Sequence, residues 1–498
     1  MRKLFFSLGL MALAFCAGCG SSSSSSNNGP TPTGNFSNAS LSGQYVYQIT
    51  GFDFSTGSGI SYARSGVFIA NGAGSLTSVI DDFSEGSPTS SVIAGTYSIS
   101  NDGTGSIQFT FPTGSLTYAI TLVSSSKVYM AEADTTLSGG GVAEKQDTTA
   151  FASAPTGTYI FRRRSLTTGA TPTSYVGSLT LNAGSISTGT NAEDTLVFGG
   201  TVTSLALNAA LFNPPDTTYG RASGSITDGN GITTTFVYYV VDANNIRMLS
   251  TDGGIIGMGR AEKQSAMTFT NASLTGPFAF GARGDSSNLI GGVRSVGTYT
   301  SDGNGNLTAG AFDSVTDGNP SLNTAFTGTY TMAASGRANL TLNFTAGGTG
   351  NQIYWMVSPT RAFFLTNSST ILSDGTADAQ VGSNFSNSSI NGQFGFLMNG
   401  FTIQTGGTTA TLDRVATLQF DGKGGLILNE FVNSNGSTSS TGFLTGTYTT
   451  SSNGRITGTI TGASNNVGLS MYLVSNSNAY ILDNDTGFEL DGQINLQQ

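Results

Sequence analysis

From Gln44 onward the chain alternates. Tyr45, Tyr47 and Ile49 stand on one parity, and Gln44, Val46 and Gln48 on the other. That is the two-residue period of a strand with one buried face. Phe278/Phe280 and Phe394/Phe396/Met398 keep the same parity, as do Leu116, Tyr118, Ile120 and Leu122 further along. Beyond residue 18 no segment has helical spacing. Glycine with asparagine or aspartate interrupts the apolar runs every ten residues or so, as in Asn71-Gly72, Asp302-Gly303 and Asp421-Gly422. Such dipeptides supply the positive φ angles that tight hairpins require.

The punctuated pattern recurs four times. Asn38-Ala39-Ser40-Leu41-Ser42-Gly43 returns as Asn271-Ala272-Ser273-Leu274-Thr275-Gly276 and as Asn387-Ser388-Ser389-Ile390-Asn391-Gly392, with a weaker copy at Ala154–Gly157. Gly95-Thr96-Tyr97 matches Gly328-Thr329-Tyr330 and Gly446-Thr447-Tyr448, and Ala143-Glu144-Lys145-Gln146 is identical to Ala261-Glu262-Lys263-Gln264. A period of about 115 residues is a small domain rather than a solenoid rung. The expected repeats are 38–149, 150–266, 267–383 and 384–498. Each holds turns enough for about eight short strands joined to their sequence neighbours, and such a meander closes into an up-and-down barrel without exposed edges. The expected fold is all-β, with four eight-stranded barrels in a row. β-Sandwiches and an eight-bladed propeller are the alternatives. In the second repeat, Asn213-Pro214-Pro215 interrupts the pattern and Thr217-Thr218-Tyr219 stands for Gly-Thr-Tyr, so a distorted barrel is expected there.

The amino terminus carries an address. Arg2 and Lys3 precede the apolar run Leu4–Ala17, too short to span a bilayer. The Ala17-Gly18-Cys19 boundary resembles the lipobox of bacterial lipoproteins, with Cys16 where the pattern usually has an aliphatic residue. That resemblance implies cleavage of residues 1–18, acylation of Cys19 (palmitate among the acyl chains) and a membrane anchor. Gly20 after the cysteine implies the outer membrane, facing the periplasm or the exterior. Residues 19–37, rich in Ser, Asn, Gly and Pro, form a tether with a reach of roughly 20–25 Å.

Composition narrows the chemistry. The chain has 498 residues and no histidine, its 2 cysteines are Cys16 and Cys19, and its net charge is −10. Histidine triads and histidine-bound zinc are excluded, and the acidic balance argues against nucleic acid. No cofactor or metal is expected. Asp302-Gly303-Asn304-Gly305-Asn306 with Asp313 has a calcium-loop flavour, but Ala73 and Lys423 replace its third position in sister repeats, so a hairpin turn is the simpler reading. Glu132 and Asp134, two apart on a strand, are the weak candidates for a carboxylate pair acting on glycans. Arg162-Arg163-Arg164 is the only basic cluster, read as a charged outer face or edge strand, or as a contact for an anion or lipid headgroup. Trp355 and the tyrosines read as core.

The Gly-Thr-Tyr, Asp-Gly-x-Gly-x-Leu and Glu-Lys-Gln landmarks of residues 38–498 look like those of tandem-repeat envelope lipoproteins of bacteria. The resemblance implies β architecture and an envelope location, and it carries over no catalytic residues. The expected function is a non-enzymatic binding, adhesive or spacer module contacting a surface glycan or protein. The alternatives are a carrier of a small apolar ligand inside the barrels and a carboxylate-dependent glycan hydrolase. Tyr45, Tyr47, Tyr97 and Tyr118 decide about the carrier, because they are large enough to fill a barrel of this size.

Overall fold

The computed structural model describes residues 34–57, 59–168, 170–286, 292–403, 408–462 and 466–498. They form four closed, antiparallel, up-and-down barrels. In the first, Ser42–Asp53, Ile60–Asn71, Ser75–Ser84, Thr89–Ile99, Thr104–Phe111, Gly114–Ser124, Lys127–Glu132 and Leu137–Lys145 each pair with their sequence neighbour. The last strand returns to the first, with Tyr45 opposite Lys145 and Asp53 opposite Leu137. The other barrels run from Gly157–Thr167 to Ile255–Lys263, from Thr275–Ser286 to Ile371–Ala379 and from Asn391–Ile403 to Phe488–Leu496. Each closes in the same way. In the fourth barrel the fourth strand is split into Ser437–Ser440 and Leu444–Thr450.

The alternation places one parity inside. Tyr45, Tyr47, Phe68, Tyr97, Phe109 and Tyr118 fill the first barrel, and stacked or tilted aromatic pairs run through it. An enclosed cavity in the second barrel, among Tyr159, Phe161, Phe212 and Met248, holds about 10 Å³. That is barely room for one water.

Three of the sequence landmarks meet at the floor of the first, third and fourth barrels. The Tyr97 hydroxyl donates to the carbonyls of Asn38 (3.1 Å) and Leu41 (2.8 Å), while the Asn38 side chain accepts from the Ile99 N–H at 2.8 Å. Tyr330 with Asn271, and Tyr448 with Asn387, repeat this arrangement. Gly74 completes it: its carbonyl accepts from the Tyr97 N–H, its φ is +100°, and a Cβ there would meet Asn38 at 3.0 Å. The second barrel closes despite Pro214 and Pro215. Phe212 lies opposite Gly224 and is buried in the core, and so holds the place of Tyr97. Thr217–Tyr219 belong to the loop that follows it.

The barrels do not stand in a row; they form a ring. Strands one to three of each barrel pack on strands six to eight of the next, and the fourth barrel packs in the same way on the first. Four apolar clusters fill the seams: Val46, Val67, Tyr239 and Leu249; Ile160, Val176, Trp355 and Phe363; Val296, Val315, Tyr472 and Leu482; and Val123, Tyr129, Leu397 and Val415. Head-to-tail contact that closes is the geometry of a cyclic oligomer, here within one chain. The terminal glutamine of each repeat stitches the seam. The Nε2 of Gln146 donates to the carbonyl of Val240 (2.6 Å), Gln264 to Met356 (2.7 Å) and Gln380 to Leu473 (2.6 Å). Gln497 closes the ring by donating to the carbonyl of Leu122 in the first barrel at 2.6 Å.

Candidate functional site: the seams and the ring axis

Three seams carry the same buried polar triad. Arg221 and Tyr239 of the second barrel meet Asp82 of the first, with Nε–Oδ2 at 2.8 Å and Nη2–Oδ1 at 2.9 Å. Arg337 and Trp355 of the third meet Asp194 of the second, all three contacts at 2.8 Å. Arg455 of the fourth barrel grips Asp313 of the third at 2.8 and 3.0 Å, beside Tyr472. Forked Arg–carboxylate pairs fix orientation as well as contact. At the closing seam the equivalent positions hold Thr104, Thr121 and Phe431, so cation, aromatic donor and acid are exchanged together.

The first three strands of a barrel face one neighbour and the last three the other. The outward side of its first and last strands, with the adjoining ends of the second and seventh, is therefore left toward the ring axis. Eight of the chain's 19 lysines and arginines stand there: Lys127, Arg162, Arg164, Arg247, Arg260, Arg283, Arg294 and Arg361. They form two layers. In one, Arg247 pairs with Glu144 (2.5 Å), and Arg361 with Glu262 (2.8 Å) and Asp378 (3.2 Å). In the same layer the Tyr480 hydroxyl donates to Asp378 at 2.6 Å, and Lys127 to Asn495 at 2.8 Å. In the other, Arg164 bridges Asp374 and Asp285, while Arg283 and Arg294 share Asp491.

Charges on opposite barrels act on one another across the axis. Burial, together with Arg260, Arg361 and Arg247, pushes the Lys127 ammonium down to about 8. Burial, then Arg247, Arg162 and Arg361, pushes Arg260 down to about 10. Burial works against the charge on Glu144, but Arg247, Arg260 and Lys127 together hold its carboxyl below the usual range.

The residues singled out from sequence are placed as follows. Cys19 lies outside the described residues. Glu132 is fully buried inside the first barrel, accepts from the Tyr62 hydroxyl at 3.0 Å, and is pushed up to about 8 by burial. Asp134 sits at the barrel mouth and accepts the Thr117 N–H at 2.7 Å. Asp252 and Asp485 do the same for Thr235 and Gly468, so this recurring acid caps a strand end. Glu132 and Asp134 thus differ in burial and partners, although the Asp134 charge adds to burial in raising the Glu132 carboxyl. Asp302 caps its own turn, accepting the N–H groups of Asn304 (2.7 Å) and Asn306 (3.0 Å), whereas Asp313 belongs to the seam with Arg455. The calcium-loop reading fails on that separation.

Arg162–Arg164 do not mark an edge strand, because the barrel is closed. Arg163 points inward to Glu193 at 3.0 Å, while Arg162 and Arg164 reach the axis. Trp355 is buried, at a seam rather than in a barrel. The seams were missed because only one parity of each strand was read as apolar. Phe236-Val237-Tyr238-Tyr239-Val240-Val241 and Ile353-Tyr354-Trp355-Met356-Val357 are apolar on both, the mark of a strand covered on two sides.

No protein-family model matches the chain, and no curated protein does. Among solved structures it is similar to a double mutant of the vaccine antigen Transferrin Binding Protein B (TbpB) from Haemophilus parasuis Hp5. The identity is 10% and the TM-score 0.21, covering 70% of this chain and 78% of that one. A single mutant of the same antigen matches at 10% identity and TM-score 0.20, covering 68% and 76%. Among the described residues no helix is long and apolar enough to cross a membrane.

Proposed function

We propose that the chain is a lipid-anchored protein of the bacterial envelope whose four-barrel ring is a rigid, non-enzymatic body for surface contact. The observation that carries this reading is where the ionisable groups go. Arginines meet carboxylates at seams, at the axis or inside barrels, further acids such as Asp228, Asp302 and Asp421 cap exposed turns, and the outward strands are left nearly uncharged. Thr96 and Ser98, Thr329 and Thr331, and Thr447 and Thr449 line that outer face, and scattered apolar side chains are exposed beside them, among them Val92, Leu211, Ile232, Leu322 and Phe443. A hydroxyl-rich rim with isolated apolar points suits a glycan or a protein surface. The filled interiors speak against the apolar carrier, and the sealed position of Glu132 speaks against the glycan hydrolase.

Attachment through Cys19, with residues 20–37 as the tether, puts this body at the outer membrane. Metabolic labelling with palmitate tests the anchor. The expected result is a labelled, membrane-pelleting wild type and an unlabelled, released Cys19→Ala protein. Equal partitioning of both would remove the anchor from the proposal.

A further inference from the structure

Two guanidinium groups at the axis have no hydrogen-bond acceptor among the described residues. Arg162 and Arg260 are cross-strand partners, so their side chains leave the second barrel side by side. Neither makes a hydrogen bond within the described residues. The nearest carboxylates are Asp374, 3.4 Å from Arg162, and Glu262, 3.8 Å from Arg260. Arg361 comes from the third barrel to the same place, and all three guanidinium carbons lie 5.6–5.9 Å from the centre of the Phe363 ring. Arg361 makes close ion pairs with Glu262 and Asp378; Arg162 and Arg260 have only the longer ones, beyond hydrogen-bond reach.

Four barrels wall this place, yet the Arg260 side chain keeps 29% of its accessibility and that of Arg162 keeps 24%. Both side chains therefore keep access to solvent. Five cations (Lys127, Arg162, Arg247, Arg260 and Arg361) meet four carboxylates (Glu144, Glu262, Asp378 and Asp374), and Asp374 is shared with Arg164, leaving an excess of positive charge in a confined volume. Two planar forks with free N–H donors, held side by side at low dielectric, match the oxygens of a tetrahedral or planar oxyanion.

We propose that the axial layer is a binding site for one small free oxyanion of the phosphate, sulfate or carboxylate class, held by Arg162 and Arg260. The surrounding barrels exclude a headgroup still embedded in a bilayer, so the ligand is a free ion. The inference is independent of the lipid anchor and of the outer rim.

Titration calorimetry with inorganic phosphate and with sulfate, at constant ionic strength against chloride, tests it on the full chain lacking only the leader. The expected result is saturable binding near one ion per chain and a rise in Tm with the ion that chloride does not reproduce. Arg260→Gln removes one of the repelling cations, so it is expected to match or exceed the wild-type Tm in chloride and to lose the ion-dependent rise. Absence of saturable binding to the wild type, or an undiminished rise in Arg260→Gln, overturns the proposal. Arg162→Gln, expected to lose the same rise, is a second test should the first variant fold poorly.

Discussion

Replacing Arg337 by methionine strands the Asp194 carboxylate at the seam between the second and third barrels. The Asp194 side chain is 1% exposed, and its remaining donors are the Trp355 indole and the Ser204 hydroxyl. Breaking a buried pair by removing one partner destabilises by 3–5 kcal/mol, and because Arg337 is 25% exposed the lower end applies, about 3 kcal/mol. Asp194→Leu leaves an arginine that can turn to water and an indole N–H without an acceptor, for about 1.5 kcal/mol. The double variant Arg337→Met/Asp194→Leu retains only the indole defect inside an apolar cluster of Ile160, Val176, Leu196 and Val357, again about 1.5 kcal/mol.

The expected coupling is therefore about 3 kcal/mol, with the double variant close to the milder single one. The closing seam, where threonines and phenylalanine replace the triad, is the same exchange made within the chain. Urea unfolding followed by tryptophan fluorescence is the appropriate assay, because guanidinium would screen the pair and Trp355, the only tryptophan, reports this seam. Additive effects within 0.5 kcal/mol would refute the account of the triads as mutually dependent groups.

Three further outcomes are expected. Burial raises the Glu132 carboxyl from its ordinary 4.5 to about 8 when folded, so stability falls as pH rises between the two and the full penalty, of order 5 kcal/mol, is present above pH 8. Glu132→Gln should match the wild type at pH 5 and exceed it at pH 9 in thermal melts; parallel pH profiles would contradict this. Gln497→Ala takes the Gln497 donor from the Leu122 carbonyl, while the Asp102 carbonyl keeps Gln393 at 2.7 Å, a loss of about 1 kcal/mol. Faster hydrogen exchange confined to the seam between the first and fourth barrels would show it, and exchange unchanged there would not fit. A fragment of residues 36–148 should keep a β circular-dichroism spectrum but associate in sedimentation, since Val46, Val67, Val123 and Tyr129 lose their cover; a monodisperse monomer would mean that the seams are dispensable.

The closed barrels were legible in the sequence because strand parity, turn glycines and hairpin spacing are local. Tyr45, Tyr47 and Tyr118 could be assigned to one interior from alternation alone. The period of the landmarks likewise counted four units, though not why Asn38, Gly74 and Tyr97 recur: the contact that unites them spans 59 residues. The ring was not legible. Closure depends on the relative rotation of consecutive barrels, and no local pattern encodes a rotation. Arg162 and Arg164 had the parity of an outer face, which is where they are; only the neighbouring barrels turn that outer face into the lining of an axis. Asp313 looked like part of a loop until Arg455, 142 residues away, claimed it. Local periodicity determined which side of each strand is buried in its own barrel, whereas the tertiary structure decided which outward charges became partners, because pairing energies act through space between residues the chain order keeps far apart.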